Sequence, residues 1–169
     1  MQPDNVFSGY GETGLDSMAG GNYKLFSDGA CRGNPGVGGA GAVIMNANEN
    51  VVWEGKEYLG HCTNNIAEYR ALILGLKGAL AHGYKNLEVY LDSELLAKQI
   101  NGSYRVKNEN LKVLMKDVRN LLATFDSIGV KHVPRLHNSH ADKLANMAID
   151  EKALNQFACN YNLIGGNYR

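Results

Sequence analysis

Four carboxylates stand in short words that fix their surroundings. They are Asp28 in Phe26-Ser27-Asp28-Gly29-Ala30, Glu68 in Thr63-Asn64-Asn65-Ile66-Ala67-Glu68, Asp92 in Val89-Tyr90-Leu91-Asp92-Ser93, and Asp142 in Asn138-Ser139-His140-Ala141-Asp142. Each word reads as the end of a strand or the first turn of a helix, so each acid is held in place. Hard divalent cations need several fixed oxygen ligands, and Mg²⁺ is usually held by a few carboxylates plus substrate phosphate. A cluster of these acids would suit metal-assisted phosphodiester chemistry.

The elements that must position them follow from hydrophobic period and turn residues. Residues 23–28 read as a strand ending at Asp28, followed by a glycine-rich turn at Gly33-Asn34-Pro35-Gly36. Ala40 to Met45 and Val51 to Tyr58 read as two further strands joined by Asn46-Ala47-Asn48-Glu49-Asn50. Connections this short make the three antiparallel. Over 64–82 the residues Ile66, Tyr69, Ile73, Leu76 and Leu80 recur at helical spacing, with Gly83 placed as a C-terminal cap. Gly75 and Gly78 inside that helix cost propensity but allow close packing on a sheet. Leu87, Val89 and Leu91 alternate with polar neighbours as a half-buried strand. Helices are predicted at 93–101 and 109–125, the second capped by Asn108, then a strand from Ile128 to Val133 and a helix from Ser139 to about 154. The sum is an α/β domain with a mixed five-stranded sheet covered by helices. The expected boundaries are a flexible tail at 1–21, the domain at 22–157 and a C-terminal tail at 158–169.

Each acid alone has a plainer reading. Asp28-Gly29 fits a turn, Glu68 fits a solvent-facing helix residue, and Asp92-Ser93 fits a helix start. Ser139 and Asp142 have the spacing of a capping box.

The words around the acids decide between these readings. Asp28-Gly29-Ala30-Cys31-Arg32-Gly33-Asn34-Pro35-Gly36 resembles the first-strand motif of type 1 ribonuclease H. Thr63-Asn64-Asn65-Ile66-Ala67-Glu68 resembles that family's TNNxxE helix start, Leu91-Asp92-Ser93 its third motif, and Asn138 with Ala141-Asp142 its fourth. The motifs keep the family's order over about residues 23–152. The resemblance implies a ribonuclease H-like fold and hydrolysis of the RNA strand of RNA/DNA hybrids with two Mg²⁺ ions, Mn²⁺ being a substitute. It implies that Asp28 bridges both ions, with Glu68 and Asp92 on the leaving-group side and Asp142 on the nucleophile side. Products would carry 5′-phosphate and 3′-hydroxyl ends. The same likeness assigns backbone groups of Cys31, Arg32, Gly33 and Asn34 to the RNA strand, where the 2′-OH marks RNA. It gives Asn65 and Glu68 further 2′-OH contacts, and gives Thr63 and Asn64 the DNA strand and its phosphate.

Two features depart from the family pattern. Between Asp92 and Asp142 the chain carries two modest helices and a strand but no long basic handle, so it resembles the compact form. Many relatives place a mobile histidine in a glycine-bearing loop before the last acid. Here the segment is His132-Val133-Pro134-Arg135-Leu136-His137-Asn138; His137 is the positional candidate, and Arg135 could grip phosphate in its stead. In some compact relatives activity extends to double-stranded RNA, a second substrate class to test beside a catalytically weak binding module of the same fold.

Composition limits the remaining choices. Seventeen basic and seventeen acidic residues give net charge zero, so contact with a polyanion must come from a local patch. Arg105, Lys107, Lys112, Lys116 and Arg119, against only Glu109 and Asp117, supply one, with Tyr104 beside it for stacking or packing. Cys31, Cys62 and Cys159 form neither a disulfide framework nor a zinc pattern and fit a reducing cytoplasm. No apolar run approaches a membrane span, and a monomer is expected.

Overall fold

The computed structural model describes residues 21–164. The expectation for the tail at 1–21 therefore falls almost wholly outside the described residues, as do 165–169.

Five strands form one sheet: β1 (Asn22–Gly33), β2 (Gly36–Met45), β3 (Val51–Cys62), β4 (Asn86–Leu91) and β5 (Ser127–His132). Their order is β3-β2-β1-β4-β5. The β1–β2 and β2–β3 pairs are antiparallel, whereas β1–β4 and β4–β5 are parallel. Four helices complete the described part: α1 (Asn64–Ala81), α2 (Glu94–Ile100), α3 (Glu109–Leu122) and α4 (Ser139–Ile164). This is the mixed sheet expected from the alternation of short and long connections.

The sheet is covered on two sides. On the α1 side, Leu25, Ala42, Ile44, Val89 and Leu91 are buried against Leu72 and Leu76. Gly75 and Gly78 permit that approach, since a Cβ on either would collide with Leu25 or Trp53. Helix α3 closes this layer with Leu111, Met115 and Val118. On the opposite side α4 lies against β2, where a Cβ on Gly39 or Gly41 would come within 2.2 Å of the Ala145 or Ala141 carbonyl. The strand's glycines thus set the depth of the helix.

Caps follow the sequence closely. Thr63, Ser93 and Asn108 accept from backbone amides at the starts of α1, α2 and α3. At the end of α1, Gly83 has φ +74, its amide donates to Leu80 and the Tyr84 amide donates to Ala79. These two bonds are a Schellman closure, which needs the left-handed residue that glycine supplies.

Three expectations are corrected. Residues 29–33 are not a loop; β1 continues through Cys31 and Arg32, and only Asn34 and the cis-linked Pro35 form the turn. The second strand begins at Gly36 and not at Ala40, its glycines pairing with β1, with the α4 backbone against Gly39 and Gly41 and the Cys62 thiol against Gly38. The last helix also runs to Ile164, past the end expected at about 154. Its exposed Leu154 and Phe157 break the apolar period on which that end was judged, yet the first glycines after Ser139 come only at Gly165-Gly166.

Candidate active site

The parallel pairing of β1 with β4 places Ser27 opposite Leu91, so the next residues, Asp28 still within β1 and Asp92 just past the end of β4, stand side by side. Glu68 joins them from the start of α1. A Cβ on Gly29 would lie 2.3 Å from the Ala67 carbonyl carbon and 2.4 Å from the Glu68 amide nitrogen, so glycine there lets strand and helix backbones touch. The Gly29 amide also donates to the Glu68 carboxylate. As a result Asp28, Glu68 and Asp92 each offer a carboxylate oxygen within 4.8 Å of the other two.

Asp142 enters from α4. Asn138, buried just before that helix, donates through Nδ2 to the Ser27 carbonyl at 2.8 Å and so ties the helix start to the strand that carries Asp28. Ser139 already has helical φ −64 and ψ −32, so it is not the extended N-cap that a capping box requires. Asp142 is free of that role and its carboxyl meets Asp28. Ser93 is the N-cap of α2, which leaves Asp92 just outside the helix.

Electrostatics mark the cluster as unsatisfied by protein alone. Asp28 is buried, and desolvation, followed by the charges of Glu68 and Asp92, pushes its pKa up to about 10. Glu68 rises to about 7, again chiefly through desolvation, with the Asp28 contact, the Gly29 amide and Arg135 pulling the other way. Like charges this close cannot all ionise without a compensating cation. The donors are hard oxygens, which suits Mg²⁺ or Mn²⁺ and not a thiol-seeking metal.

The acids line a cleft of about 510 Å³ with Gly29, Ala30, Cys31, Asn64, Asn65, Ser93, Arg135 and Asn146. Among the sequence candidates, Cys31, Asn64, Asn65 and Arg135 are therefore at the site. Arg32, Gly33 and Asn34 lie beyond it along the hairpin. Asn34 Oδ1 accepts from the Asn64 amide at 3.2 Å, which joins the hairpin tip to the start of α1. Next to it a hollow of about 280 Å³ is lined by Asn34, Thr63, Asn65, Ile66, Asn108, Asn110 and Leu111. His137 is exposed on the 3-10 turn Arg135–Asn138 and is not among the cleft-lining residues. His132 contacts the Asp92 carbonyl at 3.2 Å, and His140 pairs with Glu54.

Sequence reasoning gave no site role to Asn108 or Asn146. Asn108 was legible only as a cap, because its approach to Thr63 depends on how α1 and α3 pack. Asn146 had one faint signal, its position one helical turn after Asp142.

A mixed sheet in the order 3-2-1-4-5, with one carboxylate within its central strand, one just past the neighbouring parallel strand and two on the helices beside them, defines the ribonuclease H-like class of fold. Comparison with known proteins agrees. The family model described as "Reverse transcriptase-like" matches residues 26–148. The ribonuclease HI of Halobacterium salinarum is 40% identical over 78% of this chain and 66% of its own length. Its crystal structure superposes with a TM-score of 0.76, covering 99% of that chain. A bifunctional protein of Mycobacterium tuberculosis is 42% identical over 75% of this chain, which spans only 35% of it. LC11-RNase H1, solved in complex with an RNA/DNA hybrid, is 36% identical with a TM-score of 0.74 over 78% of this chain and 99% of that one. The chain belongs to the ribonuclease H family of hydrolases, and its likeness is to the type 1 enzymes.

Proposed function

We propose that the protein hydrolyses the RNA strand of RNA/DNA hybrids with two divalent cations, leaving 5′-phosphate and 3′-hydroxyl ends. The observation that carries this reading is the mutual 4.8 Å convergence of Asp28, Glu68 and Asp92, with Asp142 against Asp28. Asp28, central to the cluster, would hold both cations, Glu68 and Asp92 the one on the leaving-group side, and Asp142 the one on the nucleophile side. Bound there, Mg²⁺ or Mn²⁺ supplies a water of lowered pKa and neutralises charge on the leaving oxygen.

The chain's own groups do the remaining work. Burial of Asp28 excludes bulk water from one side of the reacting phosphate and strengthens every charge interaction there. Arg135, its side chain exposed at the cleft rim, grips the phosphate beside Asp142. The β1 edge at Cys31 to Asn34 and the side chain of Asn65 read the 2′-OH groups. Thr63 and Asn64 take the DNA strand and its phosphate at the hollow shared with Asn108. Arg105, Lys107, Lys116 and Arg119 are exposed and extend the positive surface along α3, whereas Lys112 is neutralised by Glu109 at 2.6 Å. Tyr104 is half exposed and carries Lys98 over its ring at 4.9 Å, which favours a surface role.

His137 is exposed and off the cleft lining, whereas Arg135 lies 3.9 Å from Asp142, which favours the phosphate grip by Arg135 over a role for His137. Among the described residues no helix is long and apolar enough to cross a membrane. We place the protein in a reducing cytoplasm as a monomer.

The test is cleavage of a labelled hybrid beside duplex RNA, duplex DNA and single-stranded RNA, with Mg²⁺, Mn²⁺ or EDTA. Metal-dependent cutting of the hybrid's RNA strand alone, lost in Asp28→Asn, is the expected result. Cutting of duplex RNA as well would widen the substrate class. Cleavage retained in Asp28→Asn would sink the two-cation assignment.

A further inference from the structure

Asp142, Asn146 and Asp150 recur every four residues along α4 and so share one stripe of the helix. Arg32, near the end of β1, faces that stripe. Its Nη1 lies 2.7 Å from Asp150 Oδ1, and its Nη2 donates to Asn146 Oδ1 at 3.4 Å. Asn146 in turn donates through Nδ2 to the Asp142 carbonyl at 3.0 Å and to Asp142 Oδ1 at 3.3 Å. A carboxamide has one accepting and one donating end. A cation on the accepting end leaves only the donating end for Asp142.

We propose that Asn146 is a positioning residue that orients the Asp142 carboxylate for its cation, with the Arg32–Asp150 pair fixing which way its amide faces. This rests on the reading of the cleft as a metal-dependent nuclease site. Groups that hydrogen-bond a ligating carboxylate set its orientation without competing for the metal. A neutral amide is suited to this, because it adds no negative charge to a cluster already crowded with it. The other neighbour of Asp142, Arg135, reaches it only at 3.9 Å from a side chain that is 82% exposed, so it holds the carboxylate loosely. Arg32 and Asp150 are themselves half exposed, and such surface pairs add little to stability. Their contribution is directional. The arrangement also gives the strand end assigned to the RNA strand a mechanical link to the nucleophile-side acid, since Arg32 belongs to both.

The test uses Asn146→Ala, with Asn146→Leu as a volume-keeping second variant, Arg32→Ala, and the Asn146→Ala/Arg32→Ala double variant. Mn²⁺ is titrated calorimetrically into the free protein, and the Mg²⁺ dependence of hybrid cleavage is measured in parallel with Tm. Removing the Asn146 donor is expected to weaken Mn²⁺ binding and raise the half-saturating Mg²⁺ concentration about tenfold, the lower end for lost outer-shell partners of a metal site. The KM for hybrid and the Tm should stay near wild type. Arg32→Ala should shift the metal response in the same direction by less, and add nothing in the Asn146→Ala background. A fall in Tm with unchanged metal response in both Asn146 variants would reduce Asn146 to a structural role and overturn the proposal. Additive effects of Arg32 and Asn146 would overturn the link between them. Wild-type protein that binds Mn²⁺ but cuts no hybrid would defeat the functional reading alone, while the titration still decides the role of Asn146.

Discussion

The two sides of the acid cluster are built on different principles. Asp28, Glu68 and Asp92 are fixed by backbone: a parallel strand pair sets two of them abreast, and a glycine at 29 lets α1, which carries Glu68, close over them. Asp142 is fixed largely by side chains, through Asn138 on Ser27 and Asn146 on its own carboxylate. The first arrangement is rigid and electrostatically strained; the second is adjustable and supplied with hydrogen-bond donors. Under the proposed function, which asks the site to hold a cation and admit an attacking water, both are useful.

The contrast can be broken first at its rigid side. Asp28→Asn should lower kcat by at least about 10²–10³-fold, the scale for losing one electrostatic stabiliser of a transition state. The same change removes the cost of protonating Asp28 on folding, so the metal-free protein at pH 8 should gain about 1 kcal/mol or more, read as a Tm rise of about 2–4 °C. An unchanged or lowered Tm would mean that Asp28 is not strained.

Gly29→Ala and Gly41→Ala sharpen the comparison, since each pushes a different helix off the sheet. Overpacking of this kind costs about 1–3 kcal/mol. Gly29→Ala should separate Glu68 from Asp28 and abolish metal-dependent cleavage. Gly41→Ala should displace α4, as its Cβ would fall 2.2 Å from the Ala141 carbonyl, and weaken cleavage less. Chemical-shift mapping of the two variants would separate the two displacements.

A smaller effect concerns pH. The folded-state pKa values of Asp28 and Glu68 lie above their ordinary values of 3.8 and 4.5, at about 10 and about 7. Between those limits the folded protein holds more protons than the unfolded chain, so stability falls as pH rises. Urea unfolding without metal should show a decline from about pH 4.5 through pH 7 that Asp28→Asn makes shallower. Saturating Mg²⁺ should also flatten it, because cation binding replaces the lost protons. The smallest expected change is from Arg135→Ala: a few-fold rise in KM for hybrid with kcat nearly kept, as suits an exposed phosphate contact.

Much of this architecture was legible in the sequence. The Leu87-Val89-Leu91 alternation, the helical period from Ile66 to Leu80 and the Gly83 stop each correspond to an observed element, because local sterics and one-sided burial govern them. The hairpin after Asp28 was harder, since strand residues without side chains look like turn residues until the helix packed against them is known. The long α4 was cut short for a related reason: residues 151–157 are all exposed, so apolar spacing could not mark the helix there.

The sequence by itself determined the four acids, their order and the elements that carry them, since a motif's local backbone depends on neighbours in the chain. Only the tertiary structure decided that Gly29 brings Glu68 onto Asp28, that Asn138 pins α4 to β1, and that Arg32 reaches Asn146. Those contacts join residues tens of positions apart, and their geometry is set by how helices settle on the sheet rather than by any local preference.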